Sequence, residues 1–171
     1  MFKLIGIVLA FSSCTAIGFI KAWEVKERKH LLLDFKDMIN HISTEISYFK
    51  EPLPQIFSRL SSGDDRESKL VLRSCLAAYQ SKGLNMKEIW KDAVREIYGN
   101  TSLTDEDVSV MEKCGDFLGQ SDFKGQQGHF ALLHQQIDRQ IAEAEEHIKT
   151  KGRMYGKMGI SIGLVIAIVC I

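Results

Sequence analysis

The segment LLLDFKDMINHISTEISYFKEPLP, residues 31–54, decides the fold class. Its apolar side chains recur at steps of three and four, which places them on one face of an α-helix. Two prolines end the pattern, because proline has no amide hydrogen and its ring clashes with the preceding helical turn. The apolar face consists of Leu32, Phe35, Ile39, Ile42, Ile46 and Phe49. The segment therefore predicts a long amphipathic helix that ends before Pro52 and turns one face towards a core.

The chain after Pro52 repeats this helical pattern between short breaks. Asn85 with Glu88 resembles a capping box, and Thr104 is followed by three acidic residues that favour a helix start. The further predicted helices begin near Pro54, Asp65, Asn85, Thr104 and Ser121 or Asp122. The first four end at Ser61-Ser62-Gly63, Gly83, Gly99-Asn100 and Gly119, and the last, whose apolar face reaches Ile148, continues without a break towards the C-terminal apolar run. No segment of comparable length alternates with a period of two. The expected fold is therefore all-α, an antiparallel bundle of about six helices in one domain.

Uncharged apolar runs lie at both ends of the chain, at residues 4–20 and 158–171, apart from the thiol of Cys170. The first run reaches the ~17–25 residues with which a helix crosses about 30 Å of hydrocarbon. The second run is shorter, so it needs the turn before it, with Lys157 reaching back to the interface. We predict an N-terminal transmembrane helix at residues 1–21, a helical bundle domain at residues 22–152, and a C-terminal transmembrane helix at residues 153–171.

The basic residues predict the orientation in the membrane. They flank the middle of the chain on its inner side, at Lys21, Lys26, Arg28, Lys29, Lys149, Lys151, Arg153 and Lys157. Basic flanks stay in the cytosol, so we expect a cytosolic bundle with both termini on the far side. The alternative is a signal-anchored extracytoplasmic interaction domain, or a lipoprotein whose signal ends at Cys14. Apolar residues resume after Cys14, which favours a retained anchor.

The sequence shows no pattern of catalytic, cofactor-binding or metal-binding residues. His129 and His134 lie five apart, whereas a metal pair on one helical face needs a spacing of four. Cys75 and Cys114 fall on apolar helix faces and suggest small buried residues. All 22 acidic residues and 21 of the 22 basic ones lie between Lys21 and Lys157, so this part carries a net charge of −1. Nothing in that balance indicates a nucleic-acid partner.

Three groups of polar or aromatic residues stand out from simple bundle packing. The first leads from Glu45 through Tyr48 to Pro52 and Leu53, the second runs from Leu118 through Gly119 and Asp122 to Gln126, and the third is Trp90. Each also has a structural explanation: Tyr48 and Trp90 as core anchors, and Asp122 as a helix cap.

These groups, taken in order, carry a resemblance to a known family. The sequence E-I-x-Y followed by P-L, then LGxSD with a glutamine four residues on, then KMGxxxGLxxxI, resembles stage III sporulation protein AB of endospore-forming bacteria. The family's soluble domain is similar to the cytoplasmic domain of the type II secretion system F protein. The motif positions are Glu45, Tyr48, Pro52, Leu53, Trp90, Leu118, Gly119, Asp122 and Gln126.

The resemblance implies a non-enzymatic platform protein in the mother-cell membrane that faces the forespore. It implies membership of the channel complex between the two cells, with a cytosolic secretion-type ATPase and other membrane proteins as partners, and it leaves a homo-oligomer open. It implies no cofactor. Among the motif positions, we expect Glu45 and Asp122 to contact a partner rather than to stabilise the fold.

Overall fold

The computed structural model describes residues 2–49, 51–82, 85–118 and 123–152, together with 154 and 161. These residues form six α-helices and no β-strand, which confirms the predicted all-α class. The helices are α1 (Phe2–Phe49), α2 (Leu53–Leu60), α3 (Glu67–Lys82), α4 (Met86–Tyr98), α5 (Asp105–Glu112) and α6 (Phe123–His147). A 3₁₀ helix (Lys113–Asp116) follows α5, and a π-helix (Ile148–Gly152) follows α6.

The predicted helix boundaries depend on a few local signals. Pro52 precedes α2 in an extended conformation, with φ −59° and ψ 137°, so the chain turns where the prolines predicted it. The side chain of Asn85 accepts a hydrogen bond from the amide of Lys87 at the start of α4. Thr104 and Asp107 form a reciprocal capping box at the start of α5, with distances of 3.2 and 2.9 Å. These side chains thus accept hydrogen bonds from the first backbone amides of each helix, which have no acceptor within the helix.

The fifth helix is shorter than predicted. The sequence favours a helix to Leu118, but α5 ends at Glu112 and the chain continues as the 3₁₀ helix. There Gly115 lies directly against Trp90: a Cβ atom on Gly115 would come within 3.0 Å of Trp90 Cδ1 and 3.1 Å of the Lys87 carbonyl oxygen. The tighter winding accompanies this close approach, which only a glycine allows.

The chain forms two compact units, one of His30–Ile141 and one of Met1–Lys29 with Ala142–Ile171. The core of the first unit contains an aromatic group from α1, α2 and α4. The Trp90 ring centroid lies 6.3 Å from that of Phe35 and 6.1 Å from that of Phe57, and the Tyr98 ring packs edge-on against Phe35 at 6.1 Å. These distances are those at which aromatic pairs attract each other.

In the other unit, α1 and α6 are joined by ion pairs. Lys29 Nζ lies 2.6 Å from Glu145 Oε1, and Arg28 Nη2 lies 3.6 Å from Glu143 Oε2. The Arg28 side chain is only 7 % exposed. The pKa of Glu145 is lowered, mainly because Lys29 donates a hydrogen bond to its carboxylate.

The predicted membrane helices stay predictions. Within the described part of the chain, no helix combines the length and the apolar character that a bilayer crossing needs. The first predicted span, residues 1–21, falls on the start of α1. The second, residues 153–171, lies outside the described residues except for Met154 and Ser161.

Candidate functional site

Glu45 lies near the end of α1 and forms an ion pair with α2. Its Oε2 atom accepts a hydrogen bond from Nη2 of Arg59, and Arg59 Nη1 lies 3.0 Å from Oε2 of Glu51. Burial acts to lower the pKa of Arg59, but the carboxylates of Glu45 and Glu51 outweigh it, so that this pKa is raised. One guanidinium thus connects the end of α1, the turn and α2. The Glu45 side chain is only 19 % exposed, whereas that of Arg59 is 47 % exposed.

Tyr48 lies one helical turn after Glu45 and is 80 % exposed. It is the most exposed large hydrophobic residue in the described part of the chain. Pro52 is also exposed, and Leu53 at the start of α2 is half-buried. The structure therefore places the first group of motif residues together at the turn between α1 and α2, with Tyr48 accessible to another molecule. The alternative explanation of Tyr48 as a core anchor is wrong.

Trp90 lies in the core and has no exposed surface. Its Nε1 atom donates a hydrogen bond to the carbonyl oxygen of Met111 at 3.0 Å. Rings from α1 and α2 pack against it, as described above. The structure thus gives Trp90 a packing role, and a partner could reach it only if the bundle opened.

The second group of motif residues falls mostly outside the described residues. Leu118 follows the 3₁₀ helix and is buried, with 4 % of its surface exposed. Gly119 and Asp122 lie outside the described residues. Gln126 belongs to α6, but its side chain lies outside the described part. A position of this group near Glu45 therefore stays a prediction.

Asp34 is a buried carboxylate that the motif comparison did not single out. Its Oδ2 atom accepts a hydrogen bond from the amide of Ser68 at 3.2 Å, and Oδ1 accepts one from Arg66 Nη1 at 3.3 Å. The side chain is 6 % exposed. Asp34 on α1 therefore satisfies an open amide at the start of α3. The sequence contained an indication of this role, because Asp34 is an acidic residue on the same helical face as Leu31 and Met38, which are buried.

A cavity of about 300 Å³ lies beside Asp34, lined by side chains of α1, α2 and α3. Its cations are already paired: Arg66 Nε lies 2.9 Å and Lys69 Nζ 2.7 Å from the carboxylate of Asp64. The hydrogen bond from Lys69 is the main cause that lowers the pKa of Asp64. Among the described residues, no group of three or more His, Cys, Asp or Glu could hold a metal ion. The cavity thus resembles a solvated network of ion pairs more than a ligand site.

Comparison with known proteins adds to this geometry. The family profile described as "Stage III sporulation protein AB (spore_III_AB)" matches residues 3–171. The chain belongs to the stage III sporulation protein AB family. This confirms the resemblance that the motifs indicated, and the family is one of sporulation proteins and not a known family of enzymes.

The fold is also similar to a solved structure described as "Stage III sporulation protein AB (SpoIIIAB)". The TM-score is 0.65 and the sequence identity 19 %, over 71 % of this chain and 96 % of the other. At this identity the likeness supports the fold alone. A comparison with curated protein sequences gives no match.

Proposed function

We propose that this protein is a non-enzymatic platform component of the secretion-like channel between the mother cell and the forespore. The bundle lies in the mother-cell cytosol, held at the membrane by the apolar ends of the chain. A secretion-type ATPase in the cytosol is its partner. The similarity between the family's soluble domain and the type II secretion F protein supports the platform role.

The observation that carries this proposal is the family match over residues 3–171. The match includes the bundle together with both apolar runs, so the helical domain and the two ends belong to one family unit. A protein of this arrangement suits a platform, because a platform needs membrane segments and a rigid surface for a partner in the same chain.

The turn between α1 and α2 is the surface that we assign to the partner. An exposed tyrosine supplies a large contact area with little loss of side-chain entropy, and tyrosine is common among residues that dominate binding energy. Arg59 fixes the turn through its two carboxylate partners. Glu45 thus acts by holding Tyr48 in place, which refines the expectation that Glu45 itself contacts the partner.

The proposal is tested by replacing Tyr48 with alanine in the full chain. We expect little change in the free energy of unfolding, because most of this side chain is in water, and a strong loss of spore formation. Tyr79→Ala is the matched control, because Tyr79 is another exposed tyrosine, on α3. Equal sporulation in both variants and in the wild type would show that the partner does not bind at this turn.

The predicted orientation is tested by a reporter fused after Ile171 that fluoresces only in the cytosol. We expect a dark fusion, since the basic flanks keep the middle of the chain in the cytosol. A bright fusion would contradict the arrangement with two spans. If the N-terminal run were instead a lipoprotein signal that ends at Cys14, the mature chain would be shorter at its N-terminus, which mass spectrometry measures directly.

A further inference from the structure

A groove runs between α6 and the segment formed by α5 and the 3₁₀ helix. It consists of two neighbouring cavities of about 280 and 150 Å³, both lined by Lys113 and Gln136. His129 lines the first cavity and Arg139 the second, so the groove follows α6 for about 15 Å. All of these residues belong to the unit His30–Ile141. The groove is thus long enough for about three turns of a helix.

The first cavity has an apolar floor. The ring of His129 stacks on that of Phe117, with centroids 5.4 Å apart and an interplanar angle of 10°. Phe117 also packs edge-on against Phe130 at 4.9 Å. Phe117 and Leu133 are buried, whereas the neighbouring Leu132 is 59 % exposed. A large apolar side chain from outside would therefore pack against Leu132 and remove its surface from water.

Lys113 and Arg139 are exposed cations on this groove. Within the described part of the chain, neither of them forms an ion pair. Every other lysine or arginine of this unit whose side chain the structure describes lies within 3.9 Å of a carboxylate oxygen. The cations that have no carboxylate partner in the unit are therefore together on one groove.

The carboxylates that line the groove already have partners in the chain. Asp116 pairs with Lys87 at 2.9 Å, and Glu106 accepts a hydrogen bond from the amide of Gln140 at 3.1 Å. Gln140 is buried, which fixes Glu106 at its place. The groove is thus complementary to a carboxylate that comes from outside and lies near Lys113.

We propose that this groove binds a short amphipathic segment of a second protein, in which a large apolar residue and an acidic residue lie about one helical turn apart. The apolar side chain packs against Phe117 and Leu132, and the carboxylate pairs with Lys113 or Arg139. A helix laid into an apolar groove is a recurring mode of recognition. A bilayer is a less suitable occupant, because its flat surface does not reach the buried ring of Phe117. The inference goes beyond the proposed function, since it adds a second partner surface apart from the turn at Tyr48.

The experiment places a photoreactive benzoylphenylalanine at position 132 of the full chain in sporulating cells. Leu132 is exposed, so the bundle tolerates the larger side chain. On illumination we expect a cross-link to one segment of another protein, which mass spectrometry identifies. An acidic residue should lie within about four positions of the linked residue, which is one helical turn. The same probe at position 79, an exposed site on α3, should not link to that segment.

Charge-reversal variants test the complementarity. Lys113→Glu and Arg139→Glu should each lower the yield of the cross-link at least about fivefold, because each replaces an attractive charge on the groove by a repulsive one. Gln135→Glu is the matched control, since it adds a negative charge to an exposed position of α6 that lines neither cavity. It should keep the yield of the wild type. Equal yields in all three variants, with unchanged unfolding midpoints, would overturn the proposal.

Other products would overturn it as well. A cross-link to a second copy of this chain would make the groove an interface between copies, and a link to phospholipid alone would assign it to the membrane. If cells that accumulate the folded chain gave no product, the groove would have no partner and the proposal would be wrong. Tyr48→Ala should leave the cross-link in place, so a failure of this inference and a failure of the platform surface can be told apart.

Discussion

Replacing Trp90 with alanine removes the largest side chain of the aromatic core. The indole contacts rings of α1 and α2, donates a hydrogen bond to Met111 of α5, and lies against Gly115 of the 3₁₀ helix. The change therefore affects several elements that are far apart in sequence. Because the side chain has no exposed surface, the variant loses nearly all of the free energy gained by moving the indole from water into the core.

The expected cost follows from the volume removed. Truncation of a buried tryptophan to alanine costs about 3–5 kcal/mol, since it loses transfer free energy and leaves a cavity. Trp90→Phe keeps most of the ring volume and loses the indole N–H. The Met111 carbonyl oxygen would retain the amide of Lys113 as a donor, so the cost should fall to about 1–2 kcal/mol.

The assay is urea unfolding of the full chain in detergent micelles, followed by circular dichroism. Tyr79→Ala is the control, and it should stay within about 0.5 kcal/mol of the wild type because Tyr79 is 47 % exposed. A cost below about 1 kcal/mol for Trp90→Ala would refute the core assignment. The surface around α4 would then have to be reconsidered as a partner site.

Three further predictions follow from the same geometry. Gly115→Ala should destabilise the bundle by about 1–3 kcal/mol, because its Cβ atom would clash with Trp90. Gly128→Ala is the control and should stabilise α6 by up to about 1 kcal/mol, because no atom lies within 4 Å of the added Cβ. Equal unfolding midpoints for the two variants would disprove the contact between Gly115 and Trp90. Asp34→Ala should cost about 1–3 kcal/mol, because it leaves a buried amide of α3 unpaired; an unchanged unfolding midpoint would exclude that cap. Burial raises the pKa of Cys75 to about 12, so a thiol reagent should label it slowly until urea unfolds the chain; rapid labelling of the native chain, located by mass spectrometry, would contradict its burial.

Local signals in the sequence were sufficient for much of the fold. The three- and four-residue spacing along residues 31–49 correctly predicted a helix and the burial of Leu32, Phe35, Ile39, Ile42 and Ile46, because helix geometry alone places them on one face. The side chain of Phe49 lies outside the described part of the chain. The prolines at positions 52 and 54 and the caps Asn85 and Thr104 correctly predicted where the next helices begin, because each signal satisfies or blocks nearby backbone groups.

Contacts between distant segments were not predictable in this way. The end of α5 depends on the approach of Gly115 to Trp90, and the role of Asp34 depends on an amide 34 residues away. The pairing of Glu45 with Arg59 likewise needs the turn between their helices to be known. Sequence motifs therefore identified Tyr48 and Glu45 as candidates, but only the structure shows that Tyr48 is exposed and that Glu45 is paired with Arg59.

The central claim, a platform that works with a cytosolic ATPase, is tested most directly by purifying the tagged full chain from membranes of sporulating cells. The account predicts that a secretion-type ATPase purifies with the wild-type chain and with Tyr79→Ala. It also predicts that the ATPase is lost with Tyr48→Ala, while that variant remains in the membrane in normal amounts. Absence of the ATPase from the wild-type sample, with the chain present and folded, would contradict the account.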